Sequence, residues 1–201
     1  MKIVEQRAVV NWITPDAVAS IERAARVCYR SEGAIAPGSA ERMVQKLLAS
    51  GHEAMIEHAC CQVEVTTDRG ISHEFVRHRI ASFAQESTRY CRYKSGIRVI
   101  KPLDLDGKQY DIWMRSIDEA QYAYDQLLAL GASPQQARDV LPTCIACDMV
   151  ITTNMREWRH FFKLRKNGTT GKPHPKMQQL ATLIHAAMLP WAGCLISDLV
   201  T

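Results

Sequence analysis

The sequence predicts a single α/β domain with mixed strands and many helices. Three observations carry that prediction. The stretches "KIVEQRAVVNWI" and "ACCQVEVTT" are rich in β-branched residues. Apolar residues between and after them recur at helical spacing. No repeat, low-complexity tract or interdomain linker interrupts the 201 residues, a length that suits one large domain with a substantial core.

Taken in order, residues 2–13 read as strand. Thr14 and Pro15 read as an N-cap and first helical position, opening a helix over 15–31 with Val18, Ile21, Ala25 and Cys28 on one face. A loop follows over 31–40, and Ser39 caps a second helix that turns Met43, Val44, Leu47 and Leu48 inward. In residues 59–67, Cys61, Val63 and Val65 alternate with Gln62 and Glu64, the pattern of a half-buried strand. Residues 71–80 are expected as a helix that carries Arg77, His78 and Arg79 near its end. After a strand at "GIRVIKPL", residues 110–130 form a long helix around Trp113, Ile117, Tyr124 and Leu127. Ser133-Pro134-Gln135-Gln136 is a capping-box-like start for a short helix that Pro142 ends. "CIACDMVITT" reads as a buried strand. Asn154 with Glu157 resembles another capping box, opening a helix over 155–165. "KNGTTGKPHP" is a loop and "KMQQLATLIHAAML" a final amphipathic helix.

Hydrophobic residues make up 47% and charged residues 23%, ordinary for a globular protein. No apolar run approaches the ~20 residues of a membrane span. The N-terminus lacks the long apolar stretch and cleavage site of a secretory signal, so the expectation is a cytoplasmic protein without a membrane partner. Seven cysteines, an odd number, fit a reducing compartment better than a disulfide framework.

The net charge of +4 is modest, but the cations are concentrated. "RHRIASFAQESTRY", residues 77–90, sets Arg77, Arg79 and Arg89 against one carboxylate, Glu86. These cations are solvated, paired with distant carboxylates, or waiting for an anion. Arginine's planar fork suits phosphate and uracil-like carbonyl edges, and Ser82, Ser87, Thr88 and Tyr90 add hydroxyl donors. Arg138, Arg156, Arg159, His160, Lys163 and Arg165 extend the cationic set. "HEAMIEH" has histidines and carboxylates, but its spacing matches no standard zinc arrangement, and no metal is expected. Cys144 and Cys147 form a C-x-x-C in an apolar strand, where residues three apart point to opposite faces, so burial is expected rather than nucleophilic chemistry. No Gly-rich dinucleotide turn or phosphate-binding loop is present.

The charged stretch resembles the signature of flavin-dependent thymidylate synthases: Arg77-His78-Arg79, seven residues, Ser87, then Arg89 and Tyr90. The resemblance continues at His52 and the pair Glu57-His58, at Arg138 in "ARDVLP", at Asn154 and Arg156, and at Leu164-Arg165. It implies one domain over residues 1–201, its mixed, largely antiparallel sheet flanked by helices. It also implies reductive methylation of dUMP to dTMP, with 5,10-methylenetetrahydrofolate as carbon donor, FAD as hydride relay and NADPH as reductant. By the resemblance Arg165 and Ser87 are catalytic. Glu74, Arg77, Gln85, Ser87, Thr88, Arg89, Arg138 and Arg165 hold dUMP. His52, Glu57, Arg77, His78, Arg79, Asn154, Arg156 and His160 line the FAD site. The family forms homotetramers whose active sites are shared between subunits. The chain departs from the commonest pattern at Ala54, Glu74, Ala84-Gln85 and His160. The competing readings are a nucleic-acid-binding module and an inactive flavin- or nucleotide-binding homologue. The low net charge and the lack of a basic base-reading helix speak against nucleic acid.

Overall fold

In a computed structural model that describes residues 1–199, the N-terminal β-branched run becomes two strands, β1 (Lys2–Val4) and β2 (Arg7–Ile13). Helix α1 (Ala17–Val27) then starts later than expected. Its N-cap is Asp16, in the left-handed region at φ 49°. Thr14 instead ties two segments together. Its Oγ1 accepts from the Cys60 amide at 2.9 Å and donates to the Cys60 carbonyl. Cys28 lies beyond the helix and is exposed, so the inward stripe is Ile21 and Ala25 with half-buried Val18. Helix α2 (Ser39–Ala49) is capped by Gly38 at φ 73°, where a side chain would be strained. Ser39 is buried instead, accepting from the Ala36 amide and bonding Glu22.

Strand β3 (Cys60–Asp68) keeps the expected alternation, with Cys61, Val63 and Val65 buried. Helix α3 is short, Arg69–Phe75, with the Asp68 carboxylate accepting from the Ile71 amide at 2.8 Å. Arg77, His78 and Arg79 therefore lie in the turn after it and not on the helix. Strands β4 (Ala81–Gln85) and β5 (Arg98–Ile100) precede the long helix α4 (Gly107–Ala129). The capping box at Ser133 forms and opens α5 (Pro134–Ala137). Strand β6 (Ala146–Asn154), α6 (Met155–Arg165) and α7 (Pro175–Ile196) complete the order.

Strands β2-β3-β6-β4 form one sheet in that order, and β1 pairs with β5 in parallel. The larger sheet is antiparallel. Gln62 bonds Thr152 and Thr66 bonds Asp148, so advancing along β3 retreats along β6. The end of β2 likewise meets the start of β3, and the end of β4 the start of β6.

The chain forms two compact units. One comprises Met1–Arg7, Thr66–Arg77 and Ala84–Met149; the other comprises Ala8–Val65, His78–Phe83 and the chain from Val150 onward. The first unit has a core of Ile97, Val99, Ile117 and Ile145, with Ile3 and Trp113 against it. In the second, α1 packs on α2, and α7 packs on α2 and α6. There Trp158, Phe161 and Phe162 make aromatic contacts along α6.

Helix α7 runs further than expected and contains Pro190, with a non-helical kink at Ala192. The segment Pro175–Leu199 is long and apolar enough to cross a membrane by length and composition, which corrects the expectation that no such run exists. Its Met177, Leu180, Ala181, Ile184 and Met188 are fully buried, the pattern of a core helix.

Candidate active site

In the first unit, the charged stretch resolves into partners that its sequence does not reveal. Glu86, its only carboxylate, accepts from the Tyr93 hydroxyl at 2.8 Å and from Arg98 Nη2 at 3.1 Å. Arg98 also reaches Asp148 at 2.8 Å, and Thr66 donates to the same carboxylate at 2.6 Å. Burial and the bond to Glu86 push the Tyr93 phenol up. Burial would raise the Asp148 carboxyl, but Thr66 and Arg98 hold it below its ordinary value. A bond from the Glu86 amide to the Asp148 carbonyl and one from the Arg69 guanidinium to the Glu86 carbonyl lock the end of β4. Glu86 therefore answers Arg98 rather than the arginines of its own stretch.

The residues beyond this lock form a tight turn. The Ser87 carbonyl accepts from the amides of Tyr90 and Cys91, and its Oγ accepts from the Arg89 amide. Buried Thr88 accepts from Arg138 at 3.3 Å. Arg89 Nε donates to Gln135 at 2.9 Å, and its guanidinium lies 5.4 Å from the Tyr90 ring centre. Ser87, Thr88, Arg89 and Arg138 thus lie around one turn. Gln135 joins them, and sequence reasoning missed it. The available signal was spacing: Gln135 precedes Arg138 by three residues, one turn on the same face. Arg77 is exposed and Glu74 half-buried. The Gln85 amide is turned to Ser72 and Cys147, at 2.9 and 3.3 Å.

In the second unit the first turn of α6 organises the chemistry. The Asn154 side chain caps the helix, accepting from the Glu157 amide at 2.9 Å. Only this half of the expected capping box forms, because the Glu157 carboxylate is turned to His78 Nδ1 at 3.0 Å. Arg165 Nε donates to His78 Nε2 at 3.2 Å. Arginine cannot accept, so Nε2 carries the lone pair, Nδ1 carries the proton, and His78 is neutral. Burial favours that form and holds the His78 pKa below its ordinary value, against the opposing pull of Glu157.

Arg156 meets Glu57 at 2.6 Å. Both line a cavity of about 440 Å³ with Glu53, Ile80, Asn154, Glu157, His160 and Lys163. His52 lines a second cavity of about 750 Å³ with Tyr29, Met43 and Leu47; Glu53 and Arg156 line both. Arg79 and His160 are exposed. Arg159, a member of the cationic set, is buried and bidentate to Asp198, also reaching the Leu195 carbonyl and Glu53. Lys163 shares Glu53 at 2.9 Å.

Ligand atoms of His78, Glu157 and His160 lie within 4.8 Å of one another, close enough for a metal ion. The Arg165 guanidinium against the same imidazole disfavours a cation there. Among the cysteines, burial pushes the Cys61 thiol up to about 12, and also raises Cys60, Cys147 and Cys194. The reactive thiolate is disfavoured at all four.

The family model of thymidylate synthase complementing proteins matches residues 9–192. The chain belongs to this family. Two relatives, each named flavin-dependent thymidylate synthase, come from Geobacter sulfurreducens and Corynebacterium diphtheriae. The first is 32% identical over 162 residues, covering 76% of this chain and 70% of the relative. The second is 32% identical over 175 residues, covering 78% and 69%. Among solved structures, a UMP/dUMP methylase, PolB from Streptomyces cacaoi, bound with 5-Br dUMP, superposes with a TM-score of 0.84. It is 22% identical and covers 98% of this chain and 96% of its own. Thymidylate synthase X from Helicobacter pylori, with FAD and dUMP, has a TM-score of 0.78 at 18% identity, covering 96% and 98%. At these identities the likeness is one of fold. It bears out the α/β class with a largely antiparallel sheet, which this member of the thymidylate synthase complementing family builds from β2, β3, β6 and β4.

Proposed function

We propose that the chain is a flavin-dependent thymidylate synthase that methylates dUMP reductively to dTMP. In this reading 5,10-methylenetetrahydrofolate supplies the carbon and NADPH the electrons, in a cytoplasmic homotetramer with active sites shared between subunits. The observation that carries the proposal is the stretch Arg77–Tyr90. Its one carboxylate is bonded by Arg98 and Tyr93, while Arg89, Thr88 and Arg138 converge on one turn. The names of the two relatives point to the same activity.

The residues divide by the chemistry each group supplies. Ser87, Thr88, Arg89 and Arg138 meet the nucleotide phosphate with charge-assisted bonds, and Glu74, Arg77 and Gln85 complete that set. Arg165 meets the uracil edge, where negative charge grows as the ring is attacked. A preorganised guanidinium is worth most there. Asn154, Arg156, His160 and Lys163 line the 440 Å³ cavity beside Glu53, Glu57 and Glu157, with Arg156 paired to Glu57 and Lys163 to Glu53, so a phosphorylated ligand would have to draw these cations from their carboxylates. FAD held there, with Glu57, Arg77, His78, Arg79 and His52 in the same set, would provide the hydride relay.

The test is an anaerobic assay of purified protein with FAD, NADPH and methylenetetrahydrofolate. It follows nucleotide-dependent oxidation of the reduced flavin and the formation of dTMP, with UMP run beside dUMP. Oxidation that depends on dUMP and yields dTMP supports the proposal. A protein that binds no flavin but retains nucleic acid would overturn it.

A further inference from the structure

We infer that Glu157 and His78 form a positioning pair that sets the plane of the Arg165 guanidinium, so Glu157 acts on the nucleotide reaction without touching the nucleotide. This rests on the proposed role of Arg165. Glu157, Phe161 and Arg165 are spaced by four and lie along one face of α6. The His78 ring spans that face. One nitrogen meets Glu157 at 3.0 Å and the other meets Arg165 at 3.2 Å. Phe161, the residue between them, packs against the ring in a T-shaped contact at 5.2 Å.

Burial makes the carboxylate informative. The side chains of His78 and Glu157 are 6% and 9% exposed, and burying a carboxylate is costly unless it is well bonded. An apolar residue would serve packing alone at lower cost. What a carboxylate adds is the tautomer: accepting from Nδ1–H leaves the lone pair on Nε2. Only that tautomer can accept from Arg165. With Nε held, the planar guanidinium has its plane defined, and its terminal nitrogens are aimed by the same bond. The opposite tautomer would set an N–H against the Arg165 Nε–H. A protonated imidazole would add like charge. The charged and titratable groups facing His78 are Glu157, His160 and Arg165 on α6, with Arg77 and Arg79 beside it in the chain.

The decisive measurement is ¹⁵N NMR of histidine-labelled protein, which reads the His78 tautomer without turnover. It is followed by the rate of dUMP-dependent flavin oxidation in Glu157→Gln and Glu157→Leu. We expect the Nδ1-protonated neutral tautomer in the wild type. It should persist in Glu157→Gln, whose amide oxygen still accepts, with the oxidation rate within a few-fold of wild type. Glu157→Leu should lose the tautomer preference and slow oxidation about 10- to 150-fold, the equivalent of one hydrogen bond to a charged group. An Nε2-protonated His78 in the wild type overturns the inference whether or not the leucine variant folds. So does a folded Glu157→Leu that oxidises at the wild-type rate. A wild type with the expected tautomer but no dUMP-dependent oxidation would instead refute the thymidylate synthase reading.

Discussion

Replacing Arg159 with methionine separates a structural arginine from the ligand-binding ones. The Arg159 side chain is 3% exposed and donates to both Asp198 oxygens at 2.6 and 2.7 Å. It also donates to the Leu195 carbonyl at 2.6 Å and to Glu53 at 3.3 Å. Methionine keeps the apolar stem and removes every donor. Breaking a buried pair from one side costs about 3–5 kcal/mol. Here the low end applies, because Asp198 is half exposed and Glu53 keeps Lys163. A loss of about 3 kcal/mol lowers the Tm of a chain this size by roughly 6–12 °C. Melts at one protein concentration, without ligand, measure it. Arg156→Met is the control. Its ion pair with Glu57 is about half exposed on both sides, so its stability effect should stay below about 1 kcal/mol, while flavin affinity falls. The structural assignment of Arg159 is refuted if Arg159→Met melts with the wild type, or if it keeps its Tm and loses flavin binding as Arg156→Met does.

Arg165→Lys should fold, bind FAD and be reduced by NADPH, yet oxidise with dUMP roughly 30- to 1,000-fold more slowly. One ammonium cannot hold His78 and also present a planar fork to the uracil edge. Near wild-type oxidation in a single-turnover experiment would reduce Arg165 to a helix-end charge. Stability should decline with acid in two stages. Burial depresses the folded His78 pKa below its ordinary 6.5, so its contribution is complete above about pH 6.5 and is lost as pH falls toward the folded value. Asp198, held low by Arg159, and Glu53 and Asp148, held low by their cations against burial, lose theirs only below about pH 4.5. A His78→Gln variant should lack the first stage in pH-dependent melts; an unchanged profile would contradict a pKa depressed by burial. Each cysteine changed singly to alanine should retain dUMP-dependent turnover once folding and FAD binding are verified. Complete loss in any one of them would reveal a nucleophile.

The elements that the sequence alone determined are those whose cause lies within a few residues. The alternation of β3, the capping box at Ser133, the Asn154 cap and the long α4 all depend on local periodicity or on bonds spanning three residues. The spaced Arg77–Tyr90 stretch was legible for the same reason, whereas the turn that gathers Ser87, Thr88 and Arg89 was not read from it. Thr14 and Ser39 carried equally good cap chemistry but found other partners, Cys60 and Glu22, which lie far from them in sequence. The same competition decided the charges. Glu86 could answer any nearby arginine, and only the pairing around β6 assigns it to Arg98. Arg159 and Arg165 sit six residues apart on one helix with the same side chain. One meets Asp198 and is structural, whereas the other meets His78. A side chain's type states which bonds it can make. The tertiary structure decides which are made, because a buried charge must take the partner that the fold brings within about 3 Å.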